Sequence, residues 1–128
     1  EMQEDYAKYE KLRDEARVQV LAATEVRESS GIKVAYIPTS QYLQSSLFSE
    51  EVFAVTGADL ALFYSSKGKV SIRRNNDKIS CRAVAANLPE GGGHEYAAGA
   101  TFSSNPENKG DVISELTAAV SKAIGQIL

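Results

Sequence analysis

The stretch from Ala58 to Ser65 constrains the fold of this chain more strongly than any other. Apolar residues occupy both of its alternating sets of positions, so a strand formed here has two apolar faces. Such a strand must be covered on both sides, which is typical of the middle of a sheet. The turn residues 66–68 then lead into the alternating run from Lys69 to Arg74. We therefore expect a β-hairpin at the centre of a sheet.

Helical and strand patterns lie on both sides of this hairpin. Ala22 and Ala23 leave the second element open, because they also allow the first helix to continue in place of a strand. Together the patterns predict a mixed sheet of about five strands with packed helices, an α/β or α+β fold. The expected elements are a helix over 1–17, strands over 20–28 and 32–37, helical stretches capped by Thr39 or Ser40 and over 49–55, the central hairpin, a short helix over 79–88, a last strand at Thr101 and Phe102, and a closing helix over 112–127.

Length and composition indicate a single domain. A chain of 128 residues with 43% apolar residues can bury one core of ordinary size. Its one cysteine, Cys81, cannot form an intramolecular disulfide, and its position on an apolar helix predicts a buried thiol, as expected in a reducing cytoplasm. No apolar run reaches the length of a membrane span, so no membrane partner is expected.

The motif Gly91-Gly92-Gly93-His94 is the main candidate for a binding site. Glycines allow the backbone to approach a ligand without interference from Cβ, and the small residues at 97–100 could begin a helical turn with outward N–H groups. Such donors, together with His94, would suit a phosphate or a carboxylate. The alternatives are a flexible glycine loop with an incidental histidine, or a histidine buried in the core.

The segment that leads to this motif is basic. Between Tyr64 and Arg82 there are six basic residues and one acidic residue, although the whole chain carries a net charge of −3. This local field suggests an anionic ligand rather than a surface that coats nucleic acid generally. The alternative is a solvated strand edge protected from aggregation by its charges.

Four features follow one another along the chain: a strand with Ser71-Ile72-Arg73, a short helix, Gly91-Gly92-Gly93-His94, and Ala97-Ala98-Gly99-Ala100. In this order they closely resemble the pattern of the DHH-associated C-terminal domain of DHH-family phosphoesterases. This family includes RecJ-like single-strand exonucleases, nanoRNases and phosphatases of nucleotide monophosphates. The resemblance implies that Arg73, Gly91, Gly92, Gly93 and His94 bind substrate phosphate.

Two details bear on how closely the chain follows that family. Adjacent strand residues face opposite sides, so Arg73 is expected to line the site and Arg74 the other face. Pro89 and Glu90 depart from the family pattern. Pro89 stiffens the backbone that leads to the glycines, and Glu90 places a negative charge beside the proposed anion site.

The resemblance also implies a separate catalytic domain with an Asp-His-His motif and two manganese or magnesium ions. This chain contains one histidine and scattered aspartates, so we expect no catalytic residue, metal ligand or cofactor within it. The chain is expected to be a piece of a longer protein, with residues 1–17 as a connector helix from the N-terminal DHH domain and residues 18–128 as the substrate-binding domain. The expected ligands are single-stranded nucleic acid, short oligonucleotides or nucleotides. A non-catalytic replication-associated scaffold and the related domain of alanyl-tRNA synthetases remain as alternatives.

Overall fold

The computed structural model describes residues 20–38 and 45–127, together with Glu15 and Val18. In this part of the chain, six strands form one mixed sheet in the order β1-β2-β3-β4-β6-β5, with helices on both of its faces. The predicted α/β fold with a mixed sheet is therefore confirmed, with one more strand than expected. The elements are β1 Glu25–Ser29, β2 Ile32–Pro38, α1 Ser45–Thr56, β3 Leu60–Tyr64, β4 Lys69–Arg74, α2 Cys81–Ala86, β5 Gly92–Gly93, β6 Ala97–Thr101 and α3 Lys109–Ile127.

Strand β3 lies in the interior of the sheet, as its two apolar faces predict. All five of its residues are buried, and it runs parallel to β2 and antiparallel to β4. One face of the sheet packs against α2 and α3 around Leu62 and Ile72. The other face packs against Val52 of α1 and against Val20, through Ala61 and Phe63.

The N-terminal prediction is only partly correct. Residues 20–23 are helical, as are Glu15 and Val18, and β1 begins at Glu25 rather than Val20. The longer first helix that Ala22 and Ala23 allowed is therefore the correct alternative at residues 20–23. Helix α1 includes the expected helical stretch over 49–55 and the end of the expected stretch before it, and it ends before Gly57 as predicted. Apart from Glu15, the connector helix over 1–17 and the caps at Thr39 and Ser40 lie outside the described residues.

The described helices include none that is long and apolar enough to cross a membrane.

The buried carboxylate that precedes β3 accepts hydrogen bonds from two other segments of the chain. Asp59 is 8% exposed. Its Oδ2 accepts the backbone N–H of Lys33 at 2.9 Å, and its Oδ1 accepts the side-chain amide of Asn76 at 2.7 Å. The ammonium of Lys78 lies 3.4 Å from Oδ1. Burial alone would raise the pKa of this carboxyl, but these hydrogen bonds and the Lys78 charge hold it below its ordinary value.

We expect Asp59→Asn to lower the free energy of unfolding by about 2 kcal/mol, because charge-assisted hydrogen bonds are lost within a buried site. The pKa of Asp59 is lower in the folded state, so its stabilising effect is complete above the ordinary pKa and is lost as the pH falls through the folded value. Urea unfolding at neutral pH and below about pH 4 should therefore show a difference between the two proteins that shrinks in acid. Asp77→Asn, at an exposed position in the loop that carries Asn76 and Lys78, serves as the control. A loss that is equal at both pH values would contradict this account.

Candidate functional site

The glycine motif forms a strand that is paired into the sheet. Gly92 and Gly93 constitute β5 and pair antiparallel with Gly99 and Ala98 of β6. The prediction of a helical turn after the motif is wrong. Residues Ala97–Thr101 instead form strand β6, which pairs with β4 along its whole length. Alanine and glycine carry little preference for strands, and here the pairing with β4 overrides their local preference.

The three glycines have different structural roles. At Gly91, a Cβ would collide with the backbone carbonyl of Ala85 in α2. At Gly93, φ is +141° and a Cβ would lie 2.6 Å from the Cα of Ala98. At Gly92, a Cβ would meet no atom within 4 Å. Packing alone therefore requires glycine at positions 91 and 93, and only position 92 leaves open a requirement that comes from a ligand.

The strand register brings Arg73 beside the glycine strand. Arg73 pairs with Ala97 of β6, and Ser71 pairs with Gly99, which in turn pairs with Gly92. By strand alternation, one face of the sheet carries Ser71, Arg73, Gly92, Ala97 and Gly99. Ala61, which pairs with Arg73 from β3, lies on the same face. We call the first five of these residues the open face, because each of them is exposed or only half-buried.

Arg74 points away from the open face. It follows Arg73 directly in β4, and so shares its face with Val70 and Ile72, which pack in the core against α2 and α3. The expected separation of the two arginines therefore holds in the structure.

The guanidinium of Arg73 is held at the edge of the open face. The side chain is half-buried, and its Nη1 donates to the backbone carbonyl of Ile72 at 3.0 Å. Among residues 20–38 and 45–127, no carboxylate forms an ion pair with it. A guanidinium that is fixed in place but not neutralised is suited to an anionic ligand, which it can bind through two parallel hydrogen bonds.

His94 is exposed, so the alternative of a histidine buried in the core is wrong. Its backbone N–H donates to the carbonyl of Ala97 at 2.8 Å, which closes the turn between β5 and β6. Its ring stacks on that of Tyr96, with 5.4 Å between the ring centroids and 6° between the ring planes. Sequence reasoning missed Tyr96, although its position two residues after His94 in a tight turn was a usable signal.

The turn between β5 and β6 is hydrogen-bonded to the first residue of α2. The N–H of Cys81 donates to the backbone carbonyl of Glu95 at 2.8 Å, and Arg82 lies 4.0 Å from the Glu95 carboxylate. On the other side of the motif, the backbone N–H of Thr101 and its hydroxyl both donate to the Pro89 carbonyl, at 2.9 and 3.0 Å. Both segments that flank the glycines are therefore held by hydrogen bonds.

The cysteine and two of the carboxylates are held within the fold. Cys81 is fully buried, and burial raises the pKa of its thiol to about 11 although Arg74 and Arg73 favour the thiolate. Within the described part of the chain, no group of three or more His, Cys, Asp or Glu side chains is placed to hold a metal ion. The carboxylates of Asp59 and Glu115 accept hydrogen bonds from protein groups.

This architecture is a small α/β domain with a glycine strand on one open face, together with an arginine that forms no ion pair within the described residues. Residues 49–122, more than half of the chain, match the DHHA1 domain family. The chain therefore belongs to the DHHA1 domain family, as its resemblance to a DHH-associated domain predicts. No curated protein matches its sequence significantly.

Solved structures share this fold at low sequence identity. An exopolyphosphatase-related protein from Bacteroides fragilis matches 89% of this chain with a TM-score of 0.69 and 20% identity, and the match covers 35% of that protein. RecJ from Thermus thermophilus, in complex with Mn²⁺, matches 94% of this chain with a TM-score of 0.56 and 16% identity, over 17% of its own length. The pGpG-specific phosphodiesterase PggH from Vibrio cholerae matches 89% with a TM-score of 0.52 and 14% identity, over 40% of its length. This chain therefore corresponds to less than half of each of these proteins.

Proposed function

We propose that this chain is the substrate-binding domain of a phosphoesterase that acts on nucleotides, short oligonucleotides or single-stranded nucleic acid. The observation that carries the proposal is the register that places Arg73, Gly92 and Gly99 on one open face. Arg73 would bind a phosphate through its guanidinium, and the exposed backbone at Gly92 would allow the phosphate to approach closely. Gly91 and Gly93 would hold that backbone in place, and His94 would add a hydrogen-bond donor at the end of the loop.

On this proposal, hydrolysis takes place in a separate DHH domain. The described residues include no group of three or more His, Cys, Asp or Glu side chains that could hold manganese or magnesium, so we place the metal ions in that separate domain. The contribution of this domain would be to hold and orient the substrate phosphate, which lowers the entropic cost of the reaction at a metal centre elsewhere. We expect the chain on its own to bind substrate and to hydrolyse none.

A titration followed by ¹H–¹⁵N NMR tests the binding role. We expect a short 5′-phosphorylated single strand to shift the amide signals of residues 71–74 and 91–99, because these backbone segments border the open face. Signals of β1, at the opposite edge of the sheet, serve as the internal control. Shifts that avoid residues 71–74 and 91–99 would overturn the proposed site, and the lack of any shift at high ligand concentration would favour a scaffold role.

A further inference from the structure

The stacked pair of His94 and Tyr96 is not explained by packing in the core. The Tyr96 side chain is 63% exposed, and it is the only aromatic residue among the exposed large hydrophobic residues of the described chain. Its ring lies almost parallel to that of His94, with 6° between the planes. An aromatic ring held in this way presents a fixed apolar surface to solvent, on which a planar ligand could stack.

The pair lies next to the proposed phosphate site. Tyr96 immediately precedes Ala97, which pairs with Arg73 across β4 and β6. A ligand whose phosphate contacts Arg73 would therefore bring its next chemical group toward the turn that carries the two rings. Stacking of a nucleobase on an aromatic side chain contributes to binding for every base, because each base has a π-face.

The charges around the turn disfavour a ligand made of phosphates alone. Glu90 and Glu95 are both exposed beside the glycine strand, and the nearest cation to Glu95 is the exposed Arg82 at 4.0 Å. A chain of several phosphates would be repelled by these carboxylates. A ligand with one phosphate near Arg73 and an uncharged base near Tyr96 avoids this repulsion.

We propose that Tyr96 is a specificity-determining residue that stacks on a nucleobase and so selects nucleotides over inorganic phosphate and polyphosphate. This inference rests on the proposed function, since it requires a phosphate on the open face. His94 would then serve both as a donor to the phosphate and as a support for the Tyr96 ring.

A pair of ligands that differ only in the base tests this inference. We expect the 128-residue chain to bind adenosine 5′-monophosphate more tightly than ribose 5-phosphate. Tyr96→Ala should lower the affinity for adenosine 5′-monophosphate by about tenfold and leave that for ribose 5-phosphate unchanged. Tyr96→Phe keeps the ring and should retain the affinity for both. Val26→Ala, which shortens an exposed side chain at the far edge of the sheet, is the matched control.

The possible failures can be told apart by NMR titration of the same set of proteins, each checked for folding by circular dichroism. If Tyr96→Ala weakens both ligands equally, the residue acts only by positioning His94, and the stacking role is overturned. If Tyr96→Ala weakens neither ligand, the stacking role is overturned as well. If the folded unmodified chain binds neither ligand, the proposed phosphate site itself is wrong.

Discussion

Gly91→Ala is expected to lower the free energy of unfolding by about 3 kcal/mol, at the upper end of the cost of overpacking a core. The added methyl group would overlap the backbone carbonyl of Ala85, a buried residue of α2, and this carbonyl cannot rotate away as a side chain could. Either α2 or the loop must then move, and the contacts of both with the sheet would be weakened. The midpoint of urea denaturation is the appropriate measurement.

Gly92→Ala is the matched control and is expected to behave in the opposite way. Its Cβ would enter open space, so the denaturation midpoint should change little, as for most surface substitutions. Its affinity for a phosphorylated oligonucleotide should fall, because the methyl group projects from the open face where the phosphate is proposed to bind. Equal loss of stability in the two variants would contradict the packing account. Unchanged affinity in Gly92→Ala would show that close approach at this residue is not required.

Arg73→Ala is expected to weaken binding of a 5′-phosphorylated oligonucleotide by one to two decades. A hydrogen bond to a charged group contributes about 1.5–3 kcal/mol, which corresponds to this change in affinity. Arg73→Lys should recover only part of the loss, because lysine keeps the charge and cannot form two parallel hydrogen bonds. Calorimetric or NMR titration at fixed ionic strength gives the affinities, since exposed charges are screened by salt.

Arg74→Ala provides the control for charge. It removes the same charge from the adjacent position, but Arg74 lies on the face with Ile72 and Val70. We therefore expect a much smaller change in affinity from Arg74→Ala than from Arg73→Ala. Equal losses from the two variants would indicate a general electrostatic effect of β4 and would contradict a specific contact with Arg73.

The sequence predicts the central hairpin of the sheet well and the N-terminal elements poorly. The run of apolar residues in β3 admits only a strand covered on both sides, and the charged turn after it admits only a hairpin. Residues 20–23 were ambiguous, because alanine, leucine and valine are compatible with both a helix and a strand. Their helical state depends on Val20 packing against the second face of the sheet, which no local pattern encodes.

Only part of the geometry of the candidate site is predictable from the sequence. The alternation along β4 was sufficient to assign Arg73 and Arg74 to opposite faces. The pairing of Gly92 and Gly93 into the sheet was not predictable, because glycine has no side chain to mark one face. The collision that requires glycine at position 91 involves Ala85, which lies earlier in the chain and in a different element, so it is visible only in three dimensions.

The hydrogen bonds that fasten the loop to Cys81 and Thr101 bear on how binding would proceed in time. A backbone that already has its bound shape loses little conformational entropy when a ligand arrives. Free and occupied domains should then have nearly the same backbone, and association should follow a single fast step without a slow rearrangement. Differences in residence time between ligands would consequently arise from their rates of departure.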